Sequence, residues 1–245
     1  MKAWKLAVIA AILAPGAVLA DDPASPPTPW SGDASAGYIR TTGNSNSTAL
    51  NFKGDLDWKS APWENLFKAQ GAYGSSKGTS NAEAYQFGDK LSRDLSPLDY
   101  VFVSLDYGND RFAGVASRYS EAVGYGRHFL KTDTQTLDAD LGIGASQSRD
   151  AEATDYDNQL IGVFNLAYLL KITPSTQFKQ TLHVEGGRQN TFINPVAELK
   201  LTVIGNVFAT LAYDWRHNTS VPAGNVHTDT ITTINFGYSF GKKPA

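Results

Sequence analysis

The chain has no cysteine among its 245 residues. A disulfide framework, a thiolate metal site and a cysteine nucleophile are therefore all excluded. No strong charge of one sign is present either: 21 basic and 24 acidic residues leave −3. Nothing in that balance supplies the basic face that a nucleic-acid partner would need. After the first twenty residues no apolar run approaches the roughly 20 residues of a spanning helix, and no window carries a 3.6-residue period. The mean hydropathy of −0.28 has a soluble look. A β-barrel with a polar interior averages to the same value, so the mean does not decide.

What is present begins with an export pattern. Lys2 and Lys5 precede the apolar run Leu6 to Leu13, and Val18-Leu19-Ala20 offers small residues before Asp21 and Asp22. We read residues 1–20 as a cleaved signal peptide, since Pro15 and Gly16 interrupt a stretch already too short to span. Its removal leaves 19 basic against 24 acidic residues, a formal charge of −5. Residues 21–29, D-D-P-A-S-P-P-T-P, read as a Pro-rich extended linker on the periplasmic side. Residues 30–245 remain as one domain.

In that domain a two-residue alternation recurs about twelve times, in segments near the length of a tilted membrane strand. We place the segments at 31–41, 47–58, 65–75, 83–94, 99–108, 118–130, 136–147, 157–169, 176–187, 194–204, 207–216 and 228–240. Thr48, Leu50, Phe52, Leu56 and Trp58 alternate with Asn51, Lys53, Asp55 and Asp57; Val207, Ala209, Leu211, Tyr213 and Trp215 alternate with Thr210, Asp214 and Arg216. A soluble sandwich would bury the apolar set and expose the charges, whereas a membrane barrel does the reverse. The odd-numbered connections are polar and often long, and the even ones are tight, a sorting by parity that belongs to outer-membrane barrels. Trp58, Tyr73, Tyr107, Tyr119, Tyr168, Trp215, Tyr238 and Phe240 fall near segment ends, where amphipathic rings favour the membrane interface. The expected fold is an all-β, transmembrane, antiparallel up-and-down β-barrel of about twelve strands, monomeric, in the Gram-negative outer membrane. The sixth segment fits worst: Glu121 and Arg127 share the face of Val123, Tyr125 and Phe129, so they must lie near the rims or the strand is bulged or slipped.

Residues 30–51, with Trp30-Ser31-Gly32, Gly37-Tyr38 and Thr41-Thr42-Gly43-Asn44, resemble the opening of the YdiY-like salt-induced outer membrane protein family of Gram-negative bacteria. Gly124-Tyr125-Gly126, Gly142-Ile143-Gly144 and the closing Tyr238-Ser239-Phe240 extend the likeness. The resemblance implies an outer-membrane barrel with a link to salt or osmotic response, and no chemistry. The aromatic final strand is also similar to the signal read by the barrel-assembly machinery, although Gly241 to Ala245 continue past Phe240. The expected partners are outer-membrane lipid and lipopolysaccharide, that machinery, and small ions.

The inward set is the candidate site: Lys53, Asp55, Asp57, Lys68, Asp106, Asp138, Asp140, Lys179, Glu185, Glu198, Lys200, Asp214 and Arg216. Its acidic excess favours cations if a pore exists, because carboxylates lower the energy of a positive permeant. The alternative is a plugged interior whose charges cancel in pairs. We expect no enzyme, cofactor or metal. The competing enzyme reading is a hydrolase at the outer rim, where His217 and His227 bracket a long loop with Asp214 and Asp229 nearby. His183, between Thr181 and Glu185, is a weaker candidate of the same kind.

Overall fold

The computed structural model describes residues 29–41, 47–76, 79–110, 115–150, 153–221 and 226–241. Residues 1–20, read above as a signal peptide, and 21–28, read as linker, lie outside them, as do the last four residues. Twelve strands follow one another: β1 (Trp30–Thr41), β2 (Ser47–Ser60), β3 (Trp63–Ser76), β4 (Thr79–Asp94), β5 (Asp99–Asp110), β6 (Val115–Lys131), β7 (Gln135–Asp150), β8 (Asp157–Thr173), β9 (Thr176–Gly187), β10 (Thr191–Ile204), β11 (Val207–Asn218) and β12 (Thr228–Phe240). Each pairs antiparallel with its neighbours in sequence, and β1 closes on β12. Closure satisfies the ladder without leaving a free edge around most of the circumference, the condition for a sheet in hydrocarbon.

The faces are assigned by exposure. Ile143 is 74% and Leu160 85% exposed on the outside, whereas Phe102 and Phe208 on the inside are 3% and 2%. Leu141, Val203, Phe236 and Ile234 continue the outer apolar surface. A sandwich is thereby excluded, because its large apolar side chains would be the buried ones. Aromatic rings mark both rims. Trp30 and Trp58 lie 6.2 Å apart at the rim where the first strand begins, here the lower rim, and Tyr107, Tyr119 and Tyr156 form a chain of ring contacts at the upper one.

Lower connections have two to four residues, such as Gly205-Asn206, where Gly205 takes φ +54°. That left-handed conformation suits the tight turns whose twist matches the flanking strands, and glycine adopts it without steric cost. The upper loops are shorter than the alternation suggests, because several strands run on: β4 begins at Thr79, β6 at Val115, and β7 reaches Asp150. Above the bilayer both faces of a strand are wet, so alternation fades while the backbone ladder continues.

Strand β6 keeps its outward Arg127 at the lower rim. Its Nη1 lies 3.2 Å from Oδ1 of Asp99, the first residue of β5, and that oxygen also accepts a 2.5 Å bond from the Tyr125 hydroxyl. A register shift between His128 and Leu130 follows. Glu121 stays outward, two residue pairs inside the Tyr107–Tyr119 contact, opposite Leu105 and Ala145. Position along the membrane normal thus decides what charge costs. Ile143→Arg should destabilise the barrel by about 2–4 kcal/mol, and Arg127→Leu by no more than about 1 kcal/mol, in denaturant unfolding from phospholipid vesicles.

Candidate functional site: a barrel interior bridged by charges

The barrel is narrow enough for charged side chains of distant strands to meet across it, as Lys53 with Glu198, Lys200 with Asp33 and Arg216 with Asp110 do. Two arrangements near the lower end have the same plan. In the first, Lys200 of β10 donates to Asp33 Oδ2 of β1 at 2.7 Å and to Ser239 Oγ of β12 at 3.0 Å. The same ammonium lies 3.9 Å from the ring centre of Phe208 on β11. That ring rests against Gly237, where an added Cβ would come within 2.4 Å of it. In the second, Lys90 of β4 pairs with Asp140 of β7 and lies 4.4 Å from the Phe102 ring centre on β5. Phe102 rests on Gly124 and Gly142, and Tyr100 on Gly126, each leaving no room for a Cβ. Tyr100 and Asn165 donate to Asp140 at 3.0 and 2.7 Å. A ring lying flat on glycine exposes its other face, and an ammonium over that face gains cation–π attraction while a carboxylate neutralises it.

The two stations lie six strands apart, on opposite walls. Their sequences match: V-F-V-S-L-D-Y at Val101–Tyr107 and V-F-A-T-L-A-Y at Val207–Tyr213, and K-L-S at Lys90–Ser92 and K-L-T at Lys200–Thr202. The reading by alternation passed over Lys90, Asp33 and the inward rings; this repeat is the signal that finds them.

At mid-height Lys53 reaches from β2 to Glu198 on β10, and Asp55 stands opposite Lys68 and in the field of Lys179 from β9. Asp138 meets His128 at 2.5 Å, Asp106 faces Gly88 and Ser120, and Asp57 faces Ser31 and Leu66. Near the upper end Arg216 donates to Asp214 Oδ2 through Nε and Nη2 at 3.0 and 2.7 Å. Its Nη1 is 3.7 Å from Asp110 Oδ2 on β5, half the circumference away. Arg118 of β6 donates to Asn218 of β11 at 3.3 Å and covers the Phe192 ring of β10 at 4.7 Å. Glu185 accepts from Ser120 at 2.9 Å. Beneath this crossing lies a cavity of about 60 Å³, bordered by Asn51, Lys53, Gln70, Gln86, Asp214, Arg216, Thr233 and Asn235. At about 10–15 Å³ per water it holds a few molecules.

The rim histidines are arranged otherwise. His217 points outward, stacked 5.3 Å from Trp215 with Nδ1 2.8 Å from Thr228 Oγ1, and His227 bonds the Asn218 carbonyl at 2.8 Å. Asp214 and Asp229 occupy the inner face of the same strands, on either side of Arg216. The wall separates the imidazoles from the carboxylates, so the hydrolase constellation is not assembled. His183 bonds Asn165 at 2.7 Å and has Glu185 3.9 Å away, as part of the interior network. Among the described residues no group of three His, Asp or Glu is placed to hold a metal.

Residues 34–240 match the family described as a protein of unknown function, DUF481. The chain belongs to the DUF481 family. A relative, "Uncharacterized protein YdiY" of Escherichia coli (strain K12), is 28% identical over 222 residues, covering 89% of this chain and 86% of its own. Among solved structures, the COG4313 outer membrane channel from Pseudomonas putida F1 superimposes with TM-score 0.51 at 12% identity, over 91% of this chain and all of its own. The NanC porin does so with TM-score 0.50 at 12% identity, over 85% and 98%. At such identities the likeness is one of fold, a closed antiparallel β-barrel.

The DUF481 stations are open to a double-mutant test. Lys200→Met removes the ammonium from Asp33, which keeps its bond from Ser239 Oγ, and should cost about 1–3 kcal/mol. Adding Asp33→Asn should cost clearly less than the sum of the two single changes, read from unfolding midpoints in vesicles.

Proposed function

We propose that this barrel is a narrow, cation-leaning passive channel of the Gram-negative outer membrane, exported through cleavage after Ala20 and serving the envelope's response to salt as a monomer. The lower rim faces the periplasm in this reading, and the upper loops face lipopolysaccharide. The observation that carries it is the Asp110–Arg216 crossing. Arg216 holds two short bonds to Asp214 on its own strand and only a 3.7 Å contact to the far wall. Drawn fully onto Asp214, the guanidinium leaves the axis and clears a polar path. An apolar plug would have no such alternative position.

The permeant class follows from the lining. Asp33, Asp55, Asp57, Asp106, Asp110, Asp138, Asp140, Glu185, Glu198, Asp214 and Asp229 outnumber Lys53, Lys68, Lys90, Arg118, Lys179, Lys200 and Arg216 on the inward positions. Carboxylates in excess lower the energy of a cation and raise that of an anion within the same narrow path. Long unscreened reach across a low-dielectric wall strengthens the bias.

The test is single-channel recording of the folded mature chain in a planar bilayer under a potassium chloride gradient. The expected result is a small conductance with a reversal potential of cation sign, increased by Arg216→Ala and reduced in selectivity by Asp106→Asn with Asp138→Asn. Silence of both the parent and Arg216→Ala would leave a structural barrel in place of a channel. Growth of a deletion strain in high sodium chloride tests the salt role separately.

A further inference from the structure

We propose that the upper part of the β1–β12 seam is a lateral portal, through which the head of a zwitterionic, ammonium-bearing lipid enters the interior cavity while its chains stay in the bilayer. The seam carries five residue pairs, from Gly32–Phe240 to Ala36–Phe236, where every other strand pair carries ten to fifteen. Above Ala36, β1 is paired only with β2, and from Asn235 back to Thr228 β12 is paired only with β11. Hydrocarbon does not tolerate an open sheet edge unless its polar groups line a wet cavity or meet a partner.

The repeated architecture supplies an internal control. Six strands away, β6–β7 occupies the corresponding place, with Gly124 and Asp140 matching Gly237 and Asp33. There the ladder continues upward from Ala122–Gly144 to Val115–Asp150. The difference at the seam is Asn235, which stands where the other half has Ala122. Gly37 is pressed against it, for an added Cβ would lie 2.4 Å from Asn235 Oδ1, 2.5 Å from the Ile234 carbonyl and 2.9 Å from Asn51 Nδ2. Gly37 and Asn235 are thus in close contact at the level where pairing stops, and the ladder does not resume above them.

Behind this contact is the cavity of about 60 Å³. Asn235, only 3% exposed, and Asn51 both border it, and neither Oδ1 accepts a hydrogen bond. Two buried carbonyl-type oxygens without donors call for a ligand that brings N–H groups. Lys53 and Arg216 on the same cavity suit the accompanying phosphate. The space fits the end of a head group and not a whole lipid. Outside, exposed Tyr38, Ile234 and Phe236 flank the seam as an apolar bed for the chains.

Lateral entry is independent of axial conduction, so its test is separate from the channel recordings. A benzoylphenylalanine replaces Thr233, on the cavity, or Ser104, on the opposite wall, in the mature barrel folded in vesicles of phosphatidylethanolamine or of phosphatidylglycerol. Photolysis should give lipid adducts at position 233 severalfold above those at 104, and more with phosphatidylethanolamine. Joining Tyr38→Cys to Ile234→Cys, by oxidation or a short bis-maleimide, should suppress the adducts; joining Ala34→Cys to Tyr238→Cys in the paired part of the seam should not. Should a variant lose the heat-dependent gel mobility of the folded barrel, the probe is moved to Ile231. Adducts at 233 no greater than at 104, or unchanged by closing the upper seam, overturn the portal, and equal labelling by both lipids overturns the head-group assignment.

Discussion

A peptide group in hydrocarbon has no water to bond, and every other feature of this protein follows from that. The sheet must close, closure in twelve strands gives a narrow tube, and alternation then sends each strand's polar half into the tube. In a wider barrel those side chains would hydrate independently. Here Arg216 approaches Asp110 from the far wall and Lys53 approaches Glu198 four strands away. The charges are compelled to pair with one another because the wall that brought them inside leaves little room for bulk water. The same confinement makes the interior a candidate for conduction and for binding, since every ion or head group that enters must compete with an existing pair.

Pairing alone would leave the long lysine side chains poorly fixed. The two stations solve this with a layered arrangement: glycine beneath, an aromatic ring lying on it, an ammonium over the ring, and a carboxylate from a further strand. Each layer depends on the one below. Without the glycines the rings could not lie flat against the wall, and without the rings Lys90 and Lys200 would lack the apolar support that holds them toward Asp140 and Asp33. The interior is therefore a packed polar core in its lower half, with the cavity bordered by Asn51, Asp214 and Arg216 above it.

How much of this was legible in the sequence depended on whether a feature is local to a strand. Period two decided the inward set, and it holds at Lys53, Asp140 and Arg216 alike. It also bears on the rim: Asp214 and His217 differ in parity, so a regular strand must send them to opposite faces, and only their closeness in sequence suggested a shared site. Arg127 looked like a misplaced charge because parity says nothing about height, and Asp99, which receives it, is contributed by another segment. Cross-barrel partners such as Arg118 with Asn218 depend on tilt and circumference, which no single strand encodes. The stations were partly visible, as a repeated V-F-x-[Ser/Thr]-L, but only a comparison between distant segments reveals them.

The seam shows why the two equivalent stations do not carry equal weight. Between β6 and β7 fifteen backbone pairs already hold the wall together, and Lys90 with Asp140 adds to a joint that would stand without it. Between β12 and β1 there are five pairs, and Lys200, Asp33 and Ser239 tie β10, β1 and β12 across that short ladder. The station therefore anchors the lower seam at the height where the backbone does pair, directly beneath the level of Asn235, where the pairing ends. The last joint of the barrel is thus held by backbone pairs and side chains together at its lower end, and the ladder does not extend above Ala36. The repeated sequence is the reason this asymmetry can be recognised as a departure and not as the ordinary irregularity of a terminal strand.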